Sequence, residues 1–162
     1  MSRALVRTAV TDWVTSANVT NLNQVLTTFP KQINFQVNSI AGQMTRAAGV
    51  VFISNETEGR IAVGGAYDGW KRIDYSVSFQ LFVHSLQNNS EDVMNDFDAI
   101  VDSVKNQLRS GGHRLGLPDG SVIWQAAEPA IDVSYSEPAM NDRGATETWA
   151  SLDFIVTQMI QA

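Results

Sequence analysis

The feature that most constrains the fold is a long alternation of apolar and polar residues between Lys71 and about His84. Successive side chains of a β-strand point to opposite faces of a sheet, so this pattern predicts one strand with an apolar face on a core. At roughly 3.3 Å per residue the strand would span about 45 Å, and we expect it to extend past the core. The apolar positions are Ile73, Tyr75, Val77, Phe79, Leu81 and Val83.

Two other segments have the periodicity of amphipathic helices. The first covers residues 2–17, and the second begins at Ser90 and ends at Gly111-Gly112. Ser2 and Ser90 are the expected N-caps, and glycine commonly follows the last helical turn. In both segments the positions that share one helical face are apolar. They are Val6, Val10, Trp13 and Val14 in the first, and Val93, Phe97, Ile100, Val101, Val104 and Leu108 in the second.

The remaining segments predict shorter strands. Residues 49–54 and 60–63 flank the turn-like sequence Asn-Glu-Thr-Glu-Gly at 55–59, which predicts a β-hairpin. Further strands are expected at 121–126, 130–136 and 147–159. Residues 18–47 are polar and contain Pro30, so two alternatives stay open for them. One is a short strand at 33–38, the other is an excursion over a neighbouring subunit, and we favour some of both.

The order of these elements is helix, hairpin, long strand, helix and three strands. It predicts a single α+β domain over residues 1–162, with a mixed or antiparallel β-sheet and two α-helices packed on one face. The length of 162 residues fits one domain of ordinary size.

The charge balance argues against several classes of partner. A net charge of −6 disfavours a free nucleic-acid-binding protein and docking on an anionic membrane. Charged residues make up only 17% of the chain, against roughly 25% in average proteins, which favours packing against other subunits. No apolar run approaches the roughly 18 residues of a membrane span, and no signal peptide is evident, so we expect a soluble intracellular chain.

No sequence motif for catalysis or cofactor binding is present, and we expect no enzyme activity, no cofactor and no metal. The chain has no cysteine, which excludes disulfides and thiolate chemistry. The glycine-rich residues 111–116 follow a helix, whereas a dinucleotide-binding loop opens one. His84 and His113 are interpreted as surface histidines. A pocket that gathers either of them with two carboxylates would favour a small enzyme instead.

Candidate partner contacts lie in the polar connections. Asn55, Glu56 and Glu58 are expected at the tip of the hairpin, and Asp142 and Arg143 in a loop at 137–146. Long connections between strands often serve binding.

A further candidate pair, Trp70 and Arg72, belongs to the tripeptide Trp-Lys-Arg at 70–72. Three interpretations of this tripeptide stay open: a stacking and phosphate contact, an interface anchor, and a tryptophan at the edge of the core.

The chain as a whole resembles the tail terminator proteins of long, non-contractile-tailed phages that infect actinobacteria. The resemblance covers most of the chain and rests on diffuse pattern. It includes Asn-Val-Thr-Asn-Leu-Asn at 18–23, Arg-Ile-Ala-Val-Gly-Gly at 60–65, Lys-Arg-Ile-Asp-Tyr at 71–75, Ser-Glu-Asp at 90–92, and the final strand with Trp149, Phe154, Val156 and Ile160.

The resemblance implies a structural protein of the virion, at the junction of head and tail, that assembles in the host cytoplasm. Six copies would form a ring that caps the tail tube, ends the growth of the tube and joins the tail to the head connector. The partners would be further copies of this chain, the major tail tube protein and the connector or stopper protein. DNA would pass through the lumen without specific binding, and the negative charge is compatible with such a channel.

Three alternatives remain open at this point. The first is another neck component, such as a head-closure or connector protein. The second is a small enzyme with an unrecognised site, and the third is a monomeric binding module.

Overall fold

The computed structural model describes residues 3–62, 69–110, 114–116, 122–125 and 131–161. These residues form two helices and eight strands. In chain order they are α1 (Arg3–Ser16), β1 (Leu22–Leu26), β2 (Thr45–Ala62), β3 (Trp70–Ser85), α2 (Ser90–Arg109), β4 (Arg114–Gly116), β5 (Val122–Gln125), β6 (Asp132–Tyr135), β7 (Ala139–Met140) and β8 (Thr146–Gln161).

All eight strands belong to one mixed sheet. Its main path runs β1-β2-β3-β8-β5-β4, and β6 and β7 also pair with β8. The pairing of β1 with β2 is parallel, and the other pairs are antiparallel. The expected α+β fold with a mixed or antiparallel sheet and two helices on one face is therefore confirmed.

The core lies between the helices and one face of β2, β3 and β8. The alternating apolar positions of β3, from Ile73 to Val83, are all buried there. The apolar stripe of α2 is buried at every expected position, and Val6, Val10 and Val14 of α1 are fully buried as well. The 3.6-residue and two-residue periods thus identified the contact surfaces of both helices and of the longest strand.

β2 corrects the hairpin expected at residues 49–63. It is one continuous strand that pairs with β3 from Thr45, opposite Ser85, to Ala62, opposite Trp70. Residues 55–59 therefore lie inside a strand. The prediction relied on the turn propensity of asparagine and glycine. Pairing with the long neighbouring strand outweighs this propensity. Two β-bulges, at Ser54 and Ile61, break the regular register.

Residues 18–47 also differ from expectation. The strand expected at 33–38 is absent, since 33–34 have no regular structure and 35–38 form a turn, and the strand in this segment is β1. Residues 27–44 cross the sheet of their own chain, on the side away from the helices. There Phe29 packs edge-on against Phe52, and Phe35 stacks on His84 with ring centroids 5.2 Å apart.

An amide network ties this crossing segment to β1. Asn23 and Gln43 exchange side-chain hydrogen bonds, and Gln43 also donates to Asn21 Oδ1 at 3.2 Å. Asn23 further donates to the carbonyl of Asn38 and accepts from its amide. Several of the amides in this polar segment thus find their partners within the subunit.

Several smaller differences concern element ends. Asn89, not Ser90, caps α2, because its side chain accepts from the backbone N–H of Glu91 at 3.0 Å. The short strands β4 and β7 were not expected. β5, β6 and β8 correspond to the expected strands at 121–126, 130–136 and 147–159. Expectations for Ser2, Val63, Gly111, Gly112 and His113 fall outside the described residues.

Within the part of the chain that the structure describes, no helix combines the length and the apolar character needed to cross a membrane.

Candidate interaction surface

One side of the central sheet is left without helices. We call this side of β2, β3 and β8 the open face. The crossing segment 27–44 covers its end near His84, and Ala48 and Val50 are fully buried there. The middle of the open face is only partly covered. It carries Phe52 and Ser54 from β2, Ser76, Ser78, Gln80 and Phe82 from β3, and Trp149, Ser151, Asp153 and Ile155 from β8.

The middle of the open face is poor in charge and rich in hydroxyl and aromatic groups. Ser78 and Ser151 are joined by a 2.9 Å hydrogen bond across the strands. Phe52 and Trp149 are 39% and 44% exposed. Of the ten residues that form the middle of the open face, Asp153 alone is charged. Asp132 of β6 lies directly opposite it. Depletion of charge together with exposed aromatic rings is the composition found at the centre of protein–protein interfaces.

The distal parts of the three long strands form a ribbon that we call the arm. It consists of residues 54–62 of β2, 70–76 of β3 and 155–161 of β8. Every residue from 54 to 61 is exposed, although the strand pairing continues without interruption apart from the two bulges. The charged residues of the arm balance, because Glu56, Glu58 and Asp74 are matched by Arg60, Lys71 and Arg72. The excess of acids therefore lies elsewhere in the chain.

Two ion pairs hold charged side chains of the arm in place. Lys71 Nζ lies 2.6 Å from Glu58 Oε1, and Arg72 Nε donates to Asp74 Oδ1 at 2.8 Å. Asp74 Oδ1 also accepts from the Thr157 hydroxyl at 2.6 Å. Lys71 and Arg72 are consecutive residues of β3, so their side chains lie on opposite faces of the arm. The two ion pairs therefore fix side-chain positions on both faces.

Tyr75 marks the boundary between the arm and the core. Its ring is buried, and its hydroxyl and the buried Gln158 side chain form a 3.3 Å hydrogen bond. Burial raises the pKa of Tyr75 above 10.0, and the carboxylates of Glu56 and Glu58 raise it further. Both acids lie on the same face as Tyr75 because the bulge at Ser54 shifts the phase of β2.

The end of the arm, which we call the tip, is apolar and basic. Ile61, Trp70 and Met159 are exposed large apolar residues there, with Trp70 47% exposed. The last rows of paired residues contain Arg60 opposite Lys71, and Arg72 opposite Met159. Among the described residues of these rows there is no acid.

A groove lies at the other end of the sheet, between the crossing segment and the β6–β8 region. It has a volume of about 510 Å³. Phe35, Phe82 and Trp149 supply aromatic surface, and Glu137 and Glu147 supply carboxylates. The groove is therefore lined by both aromatic rings and carboxylates.

The turn beside this groove is stabilised by the side chain of Asn141. Asn141 Oδ1 accepts from the backbone N–H groups of Arg143 and Ala145, each at 3.0 Å, and Asn141 donates to Glu147 at 2.9 Å. Gly144 adopts φ of +77°, which glycine tolerates without strain. The loop expected at 137–146 is thus mostly the short strand β7 and a tight turn into β8.

A second cleft of about 570 Å³ adjoins the groove and contains His84, Asp142 and Glu147. This arrangement bears on the enzyme alternative, because it gathers a histidine with two carboxylates. His84 Nδ1 is buried, yet it has no hydrogen-bond partner among the described residues. Within those same residues, no group of three or more histidine and acidic side chains is arranged to hold a metal ion. Within the described residues, His84 Nδ1 is therefore not oriented by a hydrogen bond to a carboxylate of this cleft.

The candidate contact residues fall into two groups at opposite ends of the sheet. Five of them lie on the arm: Asn55, Glu56 and Glu58 within β2 and not at the tip of a hairpin, and Trp70 and Arg72 within β3. Asp142 and Arg143 lie in the β7–β8 turn, beside the groove. β3 spans about 50 Å between these ends at roughly 3.3 Å per residue, so the two groups cannot form one site within a single copy.

Sequence reasoning missed the aromatic residues of the groove and of the open face. Phe82 lies among polar residues on the outward side of β3, and this break in the alternation was the available signal. Phe52 is similar, because it interrupts the inward-facing positions Val51 and Ile53 with a ring on the opposite side. Phe29 and Phe35 carried no comparable signal, since they belong to an irregular segment.

A scan against protein-family models and a search of curated proteins found no match to this chain.

Proposed function

We propose that the protein is a structural component of a phage neck. Copies of the chain assemble into a ring that caps the tail tube, ends its growth and joins the tail to the head connector. The ring number expected from the resemblance is six, with DNA passing through the lumen. In this proposal the chain acts by the shape and chemistry of its surfaces and carries out no reaction.

The observation that carries the proposal is the open face. It leaves half-exposed aromatic rings on a sheet surface that holds few charges, and such a surface is suited to another protein. It is not suited to nucleic acid, because its central charged groups are Asp132 and Asp153. A ring needs different patches on the two sides of each copy, and the arm and the groove differ in this way.

The main alternative within the same class is a head-closure or connector protein. The same open face would serve either layer of the neck, so the surface alone does not separate them. Electron microscopy of a phage lacking the protein does. Overlong tubes without heads indicate a terminator, whereas filled heads that lose DNA indicate a protein on the head side.

The enzyme alternative rests on the cleft around His84. It becomes the better proposal only if the His84→Ala protein keeps its assembly behaviour and loses a measurable turnover.

The test places a charge on the open face and a matched charge elsewhere. Phe52→Asp changes the open face, and Met94→Asp changes α2, where the methionine is 36% exposed against 39% for Phe52. Both proteins should fold, as judged by circular dichroism and by a cooperative thermal transition. We expect that a phage complemented with Phe52→Asp makes defective head–tail junctions and that Met94→Asp supports normal virions. Normal tails and infectivity with Phe52→Asp would contradict the proposal.

A further inference from the structure

We infer that the tip of the arm of one copy docks in the aromatic groove of the next copy. This inference rests on the proposed function, because it names the contact through which the copies associate. The occupant of the groove is thus a second copy of this chain, and the contact is head-to-tail.

The tip has the chemistry of an interface anchor. Trp70 is 47% exposed at the end of a paired strand, and Ile61 and Met159 are exposed beside it. Trp70 lies opposite Gln161, and Met159 stands two residues before Gln161 on the same face, so the side chains of Trp70 and Met159 are diagonal neighbours. Tryptophan is among the residues that most often dominate binding energy when a partner covers it.

The groove offers a matching surface at the other end of the molecule. Phe35, Phe82 and Trp149 line it, and aromatic rings pack favourably against an indole. Its volume of about 510 Å³ is within the range of pockets that enclose a large side chain and its neighbours. Phe35 is held in place by its stacking on His84, which gives the groove a fixed wall.

The charges of the two ends are complementary. The tip rows contain Arg60, Lys71 and Arg72, and the last two are ion-paired with Glu58 and Asp74 of the arm. The groove and the adjoining cleft contain Glu137, Asp142 and Glu147 together with Arg143. Docking the tip in the groove therefore brings Arg60 close to the acidic residues of the groove. A contact between two tips would instead bring Arg60 of one copy towards Arg60 of the other in rows whose described residues include no acid, so it is less favourable.

The positions of the two surfaces determine the type of assembly. Residues 62, 70 and 161 lie at the tip end of the long strands, and residues 45, 85 and 146 lie at the opposite end. A contact between unlike ends is heterologous, and repetition of a heterologous contact gives a closed ring when the rotation between copies permits closure. The inferred contact therefore supplies the kind of interface that the proposed ring requires.

Single cysteines test the contact directly, because the chain contains none. Met159→Cys labels the tip, Ala139→Cys labels the groove, and Asp98→Cys on α2 serves as the control. The full-length variants are mixed in pairs and treated with a short bismaleimide. We expect a cross-linked dimer from the tip and groove variants together and none above background from either with the control. Adding Trp70→Ala to the tip variant should weaken association by roughly tenfold or more and reduce the cross-linking accordingly.

Each other outcome overturns the inference, and sedimentation separates that result from a failure of the proposed function. Cross-links between two tip variants, or cross-links that persist in full with Trp70→Ala, mean that the copies meet in a different way. Self-association by sedimentation without a tip–groove cross-link also rejects this contact but leaves the assembly proposal standing. A protein that stays monomeric and does not cap isolated tail tubes rejects both. A monomer that still caps tubes rejects the tip–groove contact alone.

Discussion

The two halves of β2 occupy opposite environments within one strand. Residues 45–53 contain seven buried positions and lie between the crossing segment and the core. Residues 54–61 are all exposed. Both halves pair with β3, which in turn pairs with β8. The backbone hydrogen bonds are therefore of the same kind on both sides of Ser54.

Strand pairing therefore contributes to the stability of both halves, whereas side-chain burial contributes mainly to residues 45–53. Ordering a residue costs roughly 1–2 kcal/mol of backbone entropy, whereas a hydrogen bond contributes about 0.5–1.5 kcal/mol net. In the arm these terms nearly cancel, because side chains contribute little burial there. Residues 45–53 add the burial of large apolar groups, at about 1.5–3 kcal/mol each. We therefore expect substitutions in the first half to affect stability, and substitutions in the arm to affect association.

The largest contrast is expected between the two isoleucines of β2. Ile53→Ala removes a side chain that is 1% exposed and should lower the free energy of unfolding by about 2–5 kcal/mol, since it leaves a cavity in the core. Ile61→Ala removes one that is 50% exposed and should change it by about 0.5 kcal/mol or less. Urea unfolding of both variants measures the difference. Equal losses would mean that the arm is part of the cooperative core.

The two glycines of β2 give a second matched pair. A Cβ at Gly49 would overlap the ring of the buried Phe79, whereas a Cβ at Gly59 meets nothing within 4 Å. Gly49→Ala should destabilise the protein by about 1–3 kcal/mol, because a packed ring must move. Gly59→Ala should be neutral or stabilise it by up to about 1 kcal/mol, because alanine restricts the unfolded chain. Thermal unfolding of the two proteins measures both effects, and a tolerated Gly49→Ala would disprove tight packing of Phe79 at this strand.

Tyr75 should make stability depend on alkaline pH. Its pKa is raised in the folded protein by burial and then by Glu56 and Glu58, so the folded state holds the phenolic proton more tightly than the unfolded state, where the pKa is near 10.0. The resulting stabilisation is fully present below pH 10 and is lost as the pH rises through the folded pKa. Tyr75→Phe should cost about 0.5–1.5 kcal/mol near neutral pH and reduce the slope of unfolding free energy against pH above 10.

Tyr135→Phe is the control for that experiment, because this tyrosine is largely exposed. Urea unfolding at several alkaline pH values gives the slopes. If Tyr75→Phe and wild type had the same slope above pH 10, burial of Tyr75 would not be the source of the dependence.

The smallest effect is expected for the ion pair of the arm. Lys71 and Glu58 are both substantially exposed, so Lys71→Met should change the free energy of unfolding by about 1 kcal/mol at most, and less at high salt. Lys105→Met, which breaks the pair with Asp102 on α2, is the matched variant outside the arm. Chemical unfolding at low and high salt compares them. A loss of several kcal/mol for Lys71→Met would show that the arm is stabilised by charge.

The sequence predicted those parts of the fold where hydrophobic burial repeats with a clear period. The stripe of α2, the apolar positions of β3 and the inward side of β8 were all visible, because a core selects the same chemistry every 3.6 or every two residues. The sequence did not predict that residues 55–59 continue a strand. Nothing in Asn-Glu-Thr-Glu-Gly records the presence of β3 alongside, and that pairing is what extends the strand.

The candidate surface was predicted only in part. Trp70, Arg72, Asp142 and Arg143 were identified as contact residues, but their separation to opposite ends of the sheet depends on the pairing of β3 with β8. The groove could not be predicted, because residues 32–35 approach Phe82 and Trp149 only after the irregular segment 27–44 crosses the sheet. Irregular backbone leaves no periodic trace in a sequence.

The bulges in β2 determine where this strand can lose a residue during evolution without a change of register. At Ser54 and at Ile61 the strand carries one residue more than a flat ladder would need. Loss of either residue leaves the partners on both sides in register. Loss of a residue between them shifts the pairs as far as a bulge by one position and exchanges the two surfaces there. When alignments of homologous chains are made, single-residue gaps in this strand should therefore cluster at positions 54 and 61. Gaps elsewhere in it should occur only with a compensating change.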